Sequence, residues 1–297
     1  MSNIILNQTN IVNSNNNKLS YKFPRNVTFQ EGAEISLTSM NLYYSWFNIS
    51  SANNNNFFQY LWWDIYGNLT VVVDVVIPDG YYSVADLNEF LISEMVRHGH
   101  YLTPVESPNN NVYFIEFLTN STYYSVELRL SSMSYNETME IGSFTPDTGM
   151  NMFLAPTGWT MPSDDFECPK IIVPTNNNFG KIIGFNSGTI EPATIDQTIN
   201  KSYTILSQIT PQLEPQSTGI IKCNLVKNNM TSPNDVLTSF SSSGVGFGDM
   251  VKNILNTSYS KIAPGTYDSI DLEIVDQHFL PINIIDFSML FVLHITE

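Results

Sequence analysis

Charge is what this sequence has least of, and the little it has is one-sided. Lys and Arg number 12 against 28 Asp plus Glu, a formal net charge of −16, and charged residues make up 13% of the 297. Wrapping a phosphate backbone needs dense cation clusters, so direct nucleic-acid binding is not expected. The two cysteines, Cys168 and Cys223, lie in unlike contexts without CxxC spacing, and both are expected as reduced thiols. A chain this long buries roughly 70–75% of its extended surface and needs no disulfide to hold a core. No stretch reaches the ~18 apolar residues of a membrane span. The opening MSNIILNQTNIVNSNNN has neither a basic start nor a long apolar run, so a soluble chain made in the cytosol is expected.

What is abundant instead is asparagine, together with aromatic residues. A surface that owes its solubility to amides and hydroxyls can pack on neighbours with little charge desolvation. Asn-x-Ser/Thr triplets such as those at Asn7, Asn26 and Asn48 are expected by chance in so Asn-rich a chain.

One helix stands out. Ile77-Pro78-Asp79-Gly80 supplies a turn, Ser83 occupies the N-cap position with Asp86 three residues on, and Tyr82 is placed to pack on Leu87. Val84, Leu87, Leu91 and Met95, widened by Phe90, form one apolar stripe. Arg97 and Gly99 close the helix, as a cation and a left-handed cap should. Nearly everything else alternates as strands do. Such runs occur at Lys18–Phe23, Val27–Phe29, Glu34–Thr38, Phe57–Ile65 and Leu69–Ile77, then Val112–Leu118 and Tyr123–Leu130 as a hairpin. Short strands are expected at Ile171–Val173, Lys181–Phe185 and Tyr203–Leu206. Later come Gly219–Val226, Val236–Phe240, Tyr267–Val275 and Ser288–Thr296. Residues 131–170 lack periodicity and read as an irregular excursion.

The final run is almost continuously apolar and is expected in the centre of a sheet, covered on both faces, paired with strands from the start of the chain. That closes one domain around an insertion. The expected organisation is an N-terminal arm (1–17), a first jelly-roll part (18–79), an inserted upper domain (80–215) and a second jelly-roll part (216–297). The fold class is mainly β: a single jelly-roll sandwich with an inserted β-rich domain and one short amphipathic helix.

Residues that might carry chemistry are scattered. His98 and His100 are separated by one residue, without helical i,i+4 spacing or flanking carboxylates, so no metal site is expected of them. His278 reads as a loop residue, and His294 as a core or interface histidine. Gly244–Gly248 lacks the Lys-Ser/Thr of a phosphate loop. Asp164, Asp165 and Glu167 lack the alternation of a calcium loop. Trp62, Trp63 and Trp159 could stack on sugars, although burial is the commoner fate of tryptophan. No catalytic residue, cofactor or metal is expected.

Several segments in fixed order resemble the penton (minor capsid) proteins of virophages and related polinton-like double-stranded DNA viruses. They are FQEGAEISL (Phe29–Leu37) leading to YSWFNI (Tyr44–Ile49), IPDGYYS (Ile77–Ser83) with the helix starting at Asp86-Leu87-Asn88, Gly184-Phe185, and Asp276-Gln277 followed by Pro281-Ile282 and Asp286-Phe287. The resemblance implies a non-enzymatic virion protein made in the host cytoplasm. It would form a homopentamer at each capsid vertex, against double-jelly-roll major capsid proteins, with a minor capsid or cement protein as a further neighbour. It carries over architectural positions only: Pro78, Asp79, Gly80, Ser83, Leu87, Gly184, Phe185 and Asp286. A vertex-borne glycan-binding protein using Trp159 is the alternative, and a β-sandwich glycosidase a more distant one.

Overall fold

The computed structural model describes residues 2–104, 110–132, 153–160, 167–195, 202–252 and 258–297. In chain order its elements are β1 (Ser2–Asn7), β2 (Lys18–Phe29), β3 (Glu34–Tyr43), β4 (Phe57–Trp63), β5 (Leu69–Val76) and α1 (Val84–His98). There follow β6 (Thr103–Pro104), β7 (Ile115–Asn120), β8 (Ser125–Ser131), β9 (Phe153–Leu154), β10 (Lys170–Val173), α2 (Phe179–Ile183), β11 (Gly188–Ile190) and β12 (Ser202–Leu206). The chain ends with β13 (Thr218–Cys223), β14 (Val236–Ser241), β15 (Met250–Lys252), β16 (Ser260–Lys261), β17 (Gly265–Asp276) and β18 (Leu290–Thr296). It divides into two compact units, residues 1–47 with 216–297 and residues 48–215.

The first unit is an antiparallel sandwich. One sheet runs β1-β18-β3-β15, with β16 also on β3, and the other runs β14-β13-β17-β2. With β16 and the inserted unit set aside, the strands number eight in chain order. The first, eighth, third and sixth make one sheet, and the second, seventh, fourth and fifth make the other. The chain therefore crosses between sheets at every step except the β13–β14 hairpin. That order is the jelly roll. Alternation fills the space between the sheets: Phe291, Leu293 and Ile295 of β18 and Ile270, Leu272 and Ile274 of β17 are all buried. Each such side chain contributes about 1.5–3 kcal/mol by leaving water.

Two irregularities keep the apolar phase. Between β18 and β3 the register slips from Val292↔Ser39 to Leu293↔Leu37, so Thr38 is the extra residue of a bulge. Its hydroxyl donates to the Val292 carbonyl at 3.0 Å. Leu37 and Met40, three apart, thereby both reach the core. On β2, Pro24 falls where the pairing with β17 shifts, at a sheet edge, where a missing N–H costs no ladder bond.

The N-terminal segment differs from expectation. It begins as a strand rather than an arm: β1 pairs with β18 from Ser2↔Ile295 to Asn7↔Leu290, and Leu6 is buried. β18 is central as expected, but alternation leaves only one of its faces buried.

The second unit holds the sheet β11-β10-β4-β5, the sheet β12-β8-β7 and the β6-β9 pair. α1 packs on β7, and the Asn88 side-chain oxygen accepts the Phe117 amide at 2.9 Å. Its aromatic core includes Phe58, Tyr60, Trp62, Phe114, Phe117 and Phe179, with Phe58 and Phe179 stacked at 4.7 Å. The first boundary therefore falls between Phe47 and Asn48, not at 79/80. β4 and β5 alternate as jelly-roll strands would, yet β4 pairs with β10, with Tyr60 opposite Ile171. Lys181–Phe185, expected as a strand, is the end of α2 and its cap.

Candidate assembly surfaces

The residues singled out from sequence are scaffold elements, most of them around the ends of the inserted unit. Ser83 caps α1 reciprocally with Asp86, Gly99 closes it at φ 71°, and Leu87 is buried on its inner face. The Asp86 carboxyl is held below its usual range by the Ser83 hydroxyl and amide. Asp79 accepts the Ser51 amide at 2.7 Å, and Gly80 exchanges two backbone hydrogen bonds with Ile49. The Pro78 carbonyl accepts the Tyr82 hydroxyl at 3.0 Å. Gly184 caps α2 at φ 76°, and a Cβ there would lie 2.4 Å from the Ile209 carbonyl oxygen. Its own carbonyl accepts the Ile209 amide at 3.0 Å, while buried Phe185 donates its amide to Gly180 at 2.8 Å. In the jelly-roll unit, Asp286 accepts the Ser288 amide and donates its own to the Ser45 hydroxyl.

Sequence reasoning treated asparagine as surface chemistry and so missed three structural amides. Asn48 is buried. Its Nδ2 donates to the carbonyls of Tyr82 and Leu213, both at 2.8 Å, and its Oδ1 accepts the Tyr82 amide at 2.9 Å. Asn55, also buried, donates to the Asn48 carbonyl and accepts the Ser50 amide. Asn17, buried in the other unit, donates to the Ile274 carbonyl and accepts from Asn13. An amide supplies donor and acceptor at once, which suits tying irregular segments together away from water.

His100, read from the sequence only as a histidine outside any metal site, is buried. Its ring stacks on Trp62 at 4.9 Å, and its Nδ1 meets the Tyr60 hydroxyl at 2.9 Å. Burial, aided by neighbouring His98, pushes its pKa down to about 3, and burial pushes the Tyr60 phenol up. The other histidines have simpler settings: the His278 amide donates to Asp276, and His294 pairs with the Asn3 side chain at 2.7 Å. Trp159 belongs to the same buried cluster as His100. It is 6% exposed, packs edge-on against Trp62 and donates its indole N–H to the Gly99 carbonyl at 2.7 Å. A ring this enclosed matches the commoner, buried fate of tryptophan, and Trp159 is the residue that the alternative glycan-binding reading would use. Asp164 and Asp165 lie outside the described residues, as does most of the expected irregular excursion.

The outer face of the β14-β13-β17-β2 sheet carries a row of alternating charge. Lys18 pairs with Glu273 at 3.1 Å, and Lys222 lies 3.6 Å from Glu273 and 3.1 Å from Asp235. Desolvation lowers the Lys222 pKa, but bonds to Asp235 and Glu273 raise it more, so the net shift is upward and the lysine stays charged. Asp271 alongside accepts from Ser20, Ser269 and the Asn224 amide. Lys18, Lys222, Asp235, Asp271 and Glu273, with Val12, Leu19 and Cys223, line an open cleft of about 230 Å³. Its acids are engaged with lysines, hydroxyls and a side-chain amide. Burial pushes the Cys223 thiol up to about 12. Among the described residues no helix is long and apolar enough to cross a membrane.

The architecture is thus a jelly roll that carries a second β-rich unit in one of its connections. No family model and no curated protein matches the sequence. Among solved structures the chain is similar to the penton protein of mavirus, at 12% identity and a TM-score of 0.43, covering 99% of this chain and 96% of that one. It is similar also to a chain from the cryo-EM structure of the Sputnik virophage, at 11% identity and a TM-score of 0.36, covering 94% and 91%.

Proposed function

We propose that this chain is a structural capsid protein that assembles as a homopentamer at the five-fold vertices of an icosahedral virion, beside double-jelly-roll major capsid proteins. One observation carries the reading: the strand order of a single jelly roll with residues 48–215 inserted between its third and fourth strands. The sequence segments that resemble penton proteins call for that plan. The surface chemistry supports it, since a face rich in amides and poor in charge meets neighbours without stripping water from many ions. The outer edge of β2 is covered by residues 10–13 as far as Ser20, and beyond it carries Lys22, Pro24 and Arg25, a combination that discourages strand-to-strand addition. Subunits would therefore meet through side chains and loops, in a ring that closes if the interface rotation is five-fold. Purified particles test the reading. The chain should be found in them with its density at the vertices, and its absence from purified particles would end the proposal.

A further inference from the structure

The negative charge is divided very unevenly between the two units. Residues 48–215 contain 18 Asp plus Glu against 5 Lys plus Arg, a net −13 out of the chain's −16. Residues 1–47 with 216–297 hold the other 10 acids and 7 bases, a net −3. From Asn26 to Val96 the sequence has no Lys or Arg at all, so the first base of the inserted unit is Arg97.

Most of the inserted unit's few cations are already engaged within it. Arg97 pairs with Glu94, Arg129 lies 3.4 Å from Glu116 and 3.8 Å from Glu127, and Lys170 lies 2.6 Å from Glu191. Exposed Asp74, Asp79, Asp86 and Glu89 form no ion pair among the described residues, so their charge is left to water and counterions. Like charges on one compact unit add up to a field that reaches about a Debye length, about 30 Å in 0.01 M salt and about 8 Å in 0.15 M.

We propose that repulsion between inserted units makes ionic strength the gate on assembly: free copies stay apart at low salt and associate once the charge is screened. This regulation rests on the capsid reading. The insertion leaves the jelly-roll unit after Phe47 and re-enters it at Gln216, so copies that meet through their jelly rolls also gather their inserted units. Repulsion follows the product of the charges, and −13 against −3 makes a pair of inserted units about twentyfold the larger source at equal separation. An interface held by ion pairs would respond in the opposite sense and weaken with salt.

The test follows the full-length chain by light scattering across a concentration series in about 10 mM and about 150 mM NaCl. Wild type should associate at least 10-fold more tightly at the higher salt, and tetramethylammonium chloride of equal ionic strength should act alike, as screening requires. Asp74→Lys/Glu89→Lys, at two exposed sites, lowers the inserted unit from −13 to −9 and about halves the product of the charges. It should associate at least 3-fold more tightly than wild type at the lower salt and respond less to screening. Glu31→Lys/Asp268→Lys makes the same change at exposed sites of the jelly-roll unit and should keep the wild-type salt response. Near-ultraviolet circular dichroism checks the fold of both variants, and the wild-type series decides by itself if either misfolds. Association that weakens with salt, that answers to only one of the two cations, or that shifts equally in both variants overturns the gate. A wild type that stays monomeric at every salt concentration overturns it too, whereas the capsid reading stands or falls on the chain's presence in particles.

Discussion

Nδ1 of His100 lies 2.9 Å from the Tyr60 hydroxyl, with the imidazole laid flat against Trp62. Because the folded pKa of His100 is depressed to about 3, the unfolded chain takes up a proton near pH 6.5 that the folded chain refuses. Stability from this group is therefore complete above about pH 6.5 and drains away as the pH falls toward 3. Urea midpoints at pH 7 and pH 5, followed by tryptophan fluorescence, should differ by about 1 kcal/mol through His100 once solvent screening is allowed for. His100→Phe should flatten that slope while lowering stability at pH 7, since it leaves the Tyr60 hydroxyl unpaired. An unchanged slope in the variant would mean that the histidine is not held neutral.

Asn48 stitches the β4 approach to Tyr82 and Leu213 with three hydrogen bonds. Asn48→Ala strands two carbonyls and one amide in a buried place, at a cost of about 2–4 kcal/mol. Asn48→Asp keeps the acceptor for Tyr82 but turns an anionic oxygen toward the two carbonyls, and it should destabilise at least as much. Trp62, Trp63 and Trp159 all lie in the inserted unit, so their fluorescence in a urea titration reports this loss directly. A milder effect for Asn48→Asp would show that donation by Nδ2 matters little.

The contrast between α1 and its surroundings shows which parts of the fold are written locally. Ser83, Asp86 and Gly99 define the ends of α1 within a few residues of each other, so its bounds could be read off the chain. β4 and β5 could be recognised as strands, but their partner β10 arrives about a hundred residues later, and nothing near Phe57 says which sheet it will join. β1 met the same difficulty at greater range: Ile4, Ile5 and Leu6 look like an apolar fleck in a polar arm until β18 supplies the other half of the ladder. α2 was mistaken for a strand because a short apolar run has no period to judge by. Its real determinants are the Asn177 side chain accepting the Phe179 amide and the Ile209 carbonyl closing on Gly184. Of the assembly surface, the aromatic and amide composition was visible from the start. The division of charge between the units was not, because it needs the boundary between Phe47 and Asn48.

Two glycines separate conformational strain from collision. Gly184 combines φ 76° with a would-be Cβ contact of 2.4 Å to the Ile209 carbonyl oxygen, whereas Gly32 has φ 100° and open space around it. Gly32→Ala should cost about 1 kcal/mol, the conformational penalty alone. Gly184→Ala must in addition displace the 207–211 segment, and a loss of about 3 kcal/mol or more is expected from the added overpacking. Thermal melts of the two variants should therefore differ clearly, and equal shifts would mean that the segment yields freely.

Lys222 stands between Asp235 and Glu273 on the outer face of its sheet, two-thirds or more shielded on all three side chains. Replacing it with methionine keeps most of the stem's packing and removes only the charge, which leaves two carboxylates near each other without their shared cation. Partly exposed pairs are individually weak, so the expected loss is about 1 kcal/mol at low salt. Because the Debye length shrinks to about 3 Å in 1 M salt, the wild-type advantage should narrow there, as the remaining repulsion between Asp235 and Glu273 is screened. Lys222→Arg, which keeps the charge, should recover most of the difference. Urea midpoints for the three proteins at 20 mM and 1 M NaCl decide the matter. A methionine variant as stable as wild type at low salt would show that the charge row shapes the surface without holding the sheet together.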